Sequence, residues 1–132
     1  MNAHGQALRP RSQQDIAEAL RRLPVPAFVF DVGTGCFLDT NDRFQTIVGY
    51  SRTELLNMIV EAIQPNDHVA SCHEARRQAP PRGLLRWQYC RKDGTLINVK
   101  VHYREVHYKR DTGEVTNARL VFVEFWEPAA TS

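Results

Sequence analysis

The sequence lacks most of the features that mark a membrane protein or a catalyst. No apolar run approaches the ~20 residues that a bilayer-spanning helix requires. The opening stretch, MNAHGQALRPRSQQ, has no apolar core of the kind a secretory signal carries. Cysteine is scarce, with 3 in 132 residues (Cys36, Cys72 and Cys90) and no C-x-x-C spacing. That pattern reads as free thiols in a reducing compartment, so the expected location is cytoplasmic. Charge of one sign is also missing: the net charge is only +2, and the arginines are scattered rather than massed on one element. This argues against nucleic acid as a partner. There is no G-x-S-x-G, no H-E-x-x-H and no paired-cysteine motif. Gly33-x-Gly35 begins like a phosphate loop, but Leu38 stands where a third glycine belongs and no GK[ST] follows, so these are turn glycines. The 42% apolar and 24% charged residues suit one ordinary globular core.

What is present is dense local punctuation, above all over residues 41–67. Asn41 is a good N-cap, Phe44, Ile47 and Val48 give a short helix one apolar face, and Gly49 sits where that helix must end. Ser51 with Glu54 three residues on is a capping box for a second helix, lined by Leu55, Leu56, Ile59 and Ile63, with Pro65 past its end. Asp67 can cap a third helix over 68–77, whose apolar face is weak. Ahead of these, residues 1–11 carry no pattern and are expected to be a disordered lead. A flanking helix is predicted over 12–23, starting at Ser12 and stopped by Pro24. Its stripe of Ile16, Ala19, Leu20 and Leu23 can dock on its own domain or on the same helix of another copy, which makes these four the candidate dimerisation residues.

Strands are predicted around Phe28 and Phe30 and over 36–40, 84–91, 96–108 and 115–126, with the Asp93-Gly94 turn closing a tight hairpin. Alternation in the fourth strand changes phase at Glu105, which predicts a bulge there. The order helix, two strands, three helices, three strands is that of an α+β domain over 24–127, five antiparallel strands with helices on one face, followed by a tail over 128–132.

This order, with these residues, resembles a PAS domain. The resemblance runs from about Leu23 to Trp126 and rests on several runs at family spacing. They are the Phe-rich first strand ending at Asp31, the turn Thr34-Gly35, Asn41 and Phe44, Gly49-Tyr50-Ser51 with Glu54-Leu55-Leu56, and Pro65-Asn66-Asp67. Trp87-x-Tyr89-x-Arg91-Lys92-Asp93-Gly94 and Gly113-Glu114-Val115 complete the set. The resemblance implies a sensory or regulatory module rather than an enzyme. It implies a small interior cavity for a ligand or cofactor, dimerisation, and an output domain or partner protein outside this sequence. It leaves the ligand open.

Departures from the family narrow the expectation. The flavin-binding branch has a reactive Cys in the stretch that is 60–67 here, where none stands, and Phe122 occupies the place of that branch's Gln. Both argue against a covalent flavin photoreceptor. Leu120 stands where the family often has Gly, which would shrink the cavity. The family's D-I-T exit is Glu124-Phe125-Trp126 here, with Pro128 close behind, so a helical exit is disfavoured and the signal is expected to leave by the N-terminal helix, or no covalent output follows.

The expected cavity lining is Phe28, Phe30, Phe37, Phe44, Ile47, Leu56, Ile59, Val99, Val101, Tyr103, Leu120 and Phe122, with Glu124 and Tyr103 as polar members; plain core packing is the alternative for each. A lining this apolar points to a small apolar or amphipathic ligand, or to none. His68, Cys72 and His73 cluster on the third helix, and some PAS domains hold haem through a His there. Solvated helix residues are the preferred reading of that cluster over haem or a metal at His68. His102 and His107 read as surface residues, and Asp31, Asp39 and Glu124 as capping or pairing groups rather than as the acid and base of an isomerase-like enzyme. Two functions therefore stand: a ligand-sensing module, or a filled-core module for protein interaction and homodimerisation.

Overall fold

The computed structural model describes residues 10–129. Helix α1 spans Gln13–Arg22, and the Ser12 side chain caps it by accepting from the Asp15 amide at 3.0 Å. Just before it, Arg11–Ser12 form a two-residue parallel bridge with Tyr108 and Lys109. Residue 11 of the expected lead is therefore paired; 1–9 of that lead, and 130–132 of the expected tail, lie outside the described residues. Strands β1 (Ala27–Asp31) and β2 (Phe37–Thr40) follow. Helix α2 is Asp42–Val48, and Gly49 ends it with φ 83°, a left-handed conformation that a side chain disfavours. Helix α3 is Arg52–Leu56, opened by the complete Ser51–Glu54 capping box. Then come two 3-10 turns, Val60–Ile63 and Asn66–His68, and helix α4, Val69–Gln78. Strands β3 (Arg82–Cys90), β4 (Leu96–Lys109) and β5 (Val115–Pro128) complete the fold.

The sheet order is β3-β4-β5-β1-β2, antiparallel throughout, with the short Arg11–Ser12 bridge on the far end of β4. The sheet has a core on each face. On one, Phe28, Phe30, Phe44, Tyr89, Val101 and Val121 pack beneath α2, the 3-10 turns and α4. On the other, α1 lays Ile16 and Leu20 against Ala27, Val29, Tyr108 and Ala118.

This second core explains the apparent phase change in β4. There is no bulge at Glu105; the register shift lies between Lys100 and Val101. Odd positions from Ile97 to Tyr103 face the first core, while Tyr108 is buried and Val106 half-buried on the opposite face, in the core that α1 covers. The strand does not slip. The covered face changes along its length.

The second helix of the 41–67 stretch is also shorter than its apolar pattern predicts. It stops at Leu56, and Ile59 instead bridges Cys36 at the edge of the sheet. Extended backbone alternates, so Val60 turns inward and Ile59 outward, where it is 41% exposed.

Candidate functional site

Between the sheet and α4 lies a cavity of about 80 Å³. Phe28, Phe30, Tyr89, Val101, Tyr103 and Val121 line its sheet side. Phe28 anchors the floor, its ring 5.2 Å from that of Phe37 and 4.5 Å from that of Phe44. The polar lining comes from Gln64, Cys72, Arg76 and Arg119. Gln64 is engaged on both sides, donating to the Val60 carbonyl at 3.0 Å and accepting from the Trp87 indole.

The two arginines differ sharply. Arg76 donates to Glu61 Oε2 at 2.7 Å and 3.2 Å, and to the carbonyls of Val32 and Gly33 at 2.8 Å and 3.1 Å. It thereby staples α4 to the Val60–Ile63 turn and to the β1–β2 turn. Glu61 also meets His73 Nδ1 at 3.2 Å. Burial pushes the Glu61 carboxyl up, and this is the largest single influence; the hydrogen bonds from Arg76, its own amide and His73 together outweigh it and leave it below its ordinary value. Gly35, with φ 81°, is required beneath this pair, because a Cβ there would lie 2.9 Å from Glu61 Oε1.

Arg119, by contrast, is thinly bonded. Its Nη2 lies 3.4 Å from the Arg76 carbonyl and 3.5 Å from Glu105 Oε2, and its buried Nε has no partner among the described residues. Its guanidinium lies 5.7 Å from the Phe30 ring centre and 5.1 Å from that of Tyr103.

Burial pushes the Cys72 thiol up to about 12, from an ordinary 9.0, and the Tyr89 phenol up as well. A thiol so displaced carries roughly a thousandfold less thiolate at pH 8, and thiolate is the reacting form. With a maleimide at that pH, exposed Cys36 is expected to be labelled well before Cys72, as mapped by peptide mass spectrometry. Equal rates at the two sites would mean that α4 opens readily.

Of the residues expected to line the cavity, Phe28, Phe30, Val101 and Tyr103 do so. Phe37, Phe44, Ile47 and Val99 lie in the surrounding core, with Leu56 at its margin. Three do not face the cavity. Ile59 points outward for the reason given above. Leu120 and Phe122 belong to the opposite face, packed toward α1, so Leu120 does not narrow the cavity. Both faces of β5 are apolar, and alternation alone does not say which is inside. Glu124 is exposed on the opposite face too, paired with Lys100 at 3.1 Å and with His102, whose ring stacks on Phe122. The expected dimer stripe is split: Ile16 and Leu20 are buried against this chain's own sheet, Leu23 packs at the edge of that core, and Ala19 is exposed.

The His68–Cys72–His73 cluster does not converge. Cys72 lines the cavity, His73 turns to Glu61, and the His68 ring lies 6.1 Å from that of Trp87. No group of three or more His, Cys, Asp or Glu side chains is arranged to hold a metal among the described residues. A cavity of about 80 Å³ is also far below the roughly 300–1,000 Å³ of pockets for drug-sized ligands, so it does not admit haem, and His68 lies instead on a separate open pocket of about 520 Å³ beside Trp87 and Phe125. Asp31 accepts from the amides of Gly33 and Thr34 and from the Thr116 hydroxyl, and Asp39 pairs with Arg52 at 2.9 Å.

Of the cavity's polar members, sequence reasoning named Tyr103 and singled out Cys72 but missed Gln64, Arg76 and Arg119. For Arg119 a signal existed: it shares the inward phase of Val121 and Val123. For Glu61 and Arg76 there was none, since their pairing is purely tertiary.

The sequence matches the PAS fold family over residues 14–119. Solved structures agree, though identities this low speak to fold alone. The PAS domain of an HTR-like protein from Haloarcula marismortui is 17% identical with a TM-score of 0.64, over 88% of this chain and 90% of that one. A PAS domain from a two-component sensor histidine kinase is 18% identical, also at 0.64, over 88% and 95%. The Rhodobacter sphaeroides LOV protein is 15% identical at 0.67, over 91% and 68%. No curated protein matches the chain in sequence. The α+β fold and the family match together define a domain of the sensory and signalling class. The chain belongs to the PAS family. No helix among the described residues is long and apolar enough to cross a membrane.

Proposed function

We propose that residues 24–127 sense a small ligand in the interior cavity, and that α1 passes the event to an output domain or partner protein. The observation that carries this reading is the cavity itself: a recess between the sheet and α4 that leaves Phe28, Phe30, Val101 and Val121 of the core facing unfilled space, and such space costs stability. The route through α1 is supported by Asn41, whose side chain touches the last turn of α1, the start of β1 and the first turn of α2 at once. The chain works by binding rather than turnover, since no carboxylate lines the cavity among the described residues and Glu61, next to the lining residue Arg76, is held by Arg76 and His73. The free thiols at Cys36, Cys72 and Cys90 suit the cytoplasm.

One observation favours a second reading, a homodimerising interaction module. On the uncovered sheet face beside His102, Leu84 and Phe125 are exposed, large apolar side chains. Native mass spectrometry of the purified chain, with an absorption spectrum of the same sample, separates the two. Sensing predicts a co-purified small mass that dissociates on activation. A bare polypeptide running chiefly as a dimer would move the reading to the interaction module.

A further inference from the structure

We infer that the cavity's ligand is a short-chain monocarboxylate whose headgroup pairs with Arg119. The inference rests on the sensing reading above and specifies its chemistry.

Arg119 is 6% exposed, yet its contacts are poor. A guanidinium offers five donors in a rigid fork. Here one nitrogen makes two long contacts, at 3.4 Å and 3.5 Å, and the buried Nε makes none. A buried charge normally comes with close partners, because removing it from water is costly. Arg76, in the same wall, meets that condition with four short hydrogen bonds. Arg119 does not, and it is held against the cavity by the Phe30 and Tyr103 rings. What matches an unfilled guanidinium edge is a planar carboxylate, which takes two parallel N–H bonds.

The rest of the wall sets the tail and the charge. Phe28, Val101 and Val121 present only carbon to the space, so the remainder of the ligand is aliphatic. At the roughly 10–15 Å³ that one water needs, about 80 Å³ holds about five to eight waters, enough for the non-hydrogen atoms of an acid of roughly two to four carbons. Charge favours a monoanion over a dianion. Arg76 is neutralised by Glu61, and Arg119 has only Glu105, half-buried and 3.5 Å away, so a monocarboxylate leaves a smaller excess of negative charge than a phosphate dianion.

The test uses the full chain with butyrate, 1-butanol and inorganic phosphate at constant ionic strength, read by calorimetry and by thermal unfolding. Butyrate is expected to bind and raise Tm, whereas 1-butanol and phosphate do neither. Arg119→Met is expected to weaken butyrate binding by at least about tenfold, since it removes charge-assisted bonds to the ligand. If Arg119→Met fails to fold, Arg119→Lys keeps the cation without the fork and is expected to show the same loss. Equal binding of butyrate and 1-butanol, or an Arg119 variant that still binds butyrate normally, overturns the carboxylate inference and leaves sensing intact. Phosphate binding in place of butyrate overturns it too, in favour of a phosphorylated ligand. Failure of all three probes, with no co-purified mass, removes both the inference and the sensing reading.

Discussion

Arg76→Met lowers the unfolding free energy by about 3–5 kcal/mol at pH 7, the range for removing one partner of a buried ion pair. The loss is large because three acceptors depend on this side chain. Glu61, 8% exposed, keeps its charge but retains only His73 as a side-chain partner. The Val32 and Gly33 carbonyls lose their donor, so α4 is no longer stapled to the β1–β2 turn.

The pH dependence should reverse as well. In the parent protein the Glu61 carboxyl is depressed, so its contribution is present above the ordinary glutamate value of 4.5 and is lost as pH falls through the lower folded value. Without Arg76, burial dominates and the folded carboxyl rises above its unfolded value. The variant's folded state then takes up a proton more readily than its unfolded state, and stability increases as pH falls from 7 to 5. Urea unfolding at the two pH values reads both effects. A loss below 1 kcal/mol, or a variant that weakens toward pH 5, would mean that the staple carries little of the fold.

Asn41→Ala is expected to cost about 3–4 kcal/mol, at roughly 1 kcal/mol for each of three buried hydrogen bonds and up to as much for a fourth that is half-buried. Asn41 is 5% exposed and fully used. Its Oδ1 accepts from the amides of Ala27 and Phe44, both at 3.0 Å, and its Nδ2 donates to the carbonyls of Leu20 at 3.1 Å and Val25 at 2.8 Å. Asn41→Asp separates these roles. It keeps both acceptor bonds, including the cap on α2, and sets a carboxylate against the two carbonyls. Amide hydrogen exchange should then quicken across Gln13–Arg22 and leave Asp42–Val48 protected. Equal loosening of both helices would show that Asn41 does not tie α1 to the domain selectively, and the proposed exit through α1 would lose its support.

Much of this architecture is legible without coordinates, and for a local reason. N-caps, capping boxes and left-handed glycines act over three or four residues, so Ser12, Asn41, Gly49 and the Ser51–Glu54 pair announce their elements wherever they occur. The site was less legible. Val101 and Tyr103 were identifiable as inward residues because strand alternation places them, whereas Phe28 and Phe30 share one face of a strand that is apolar on both. Leu120 and Phe122 were misplaced because α1 makes the opposite face of β5 apolar as well. Ile59 was misplaced because a helical period continues on paper past the point where α3 stops.

By itself, then, the sequence determined the order of elements, their caps and turns, and the family, since each of these follows from residues near one another along the chain. The tertiary structure decided which face of each strand lines the cavity, how small that cavity is, and which arginine is spoken for. Arg76 and Glu61 stand 15 residues apart with Arg119 on another strand, and only packing sets one guanidinium into a full complement of acceptors and leaves the other facing an apolar space with an unpaired nitrogen.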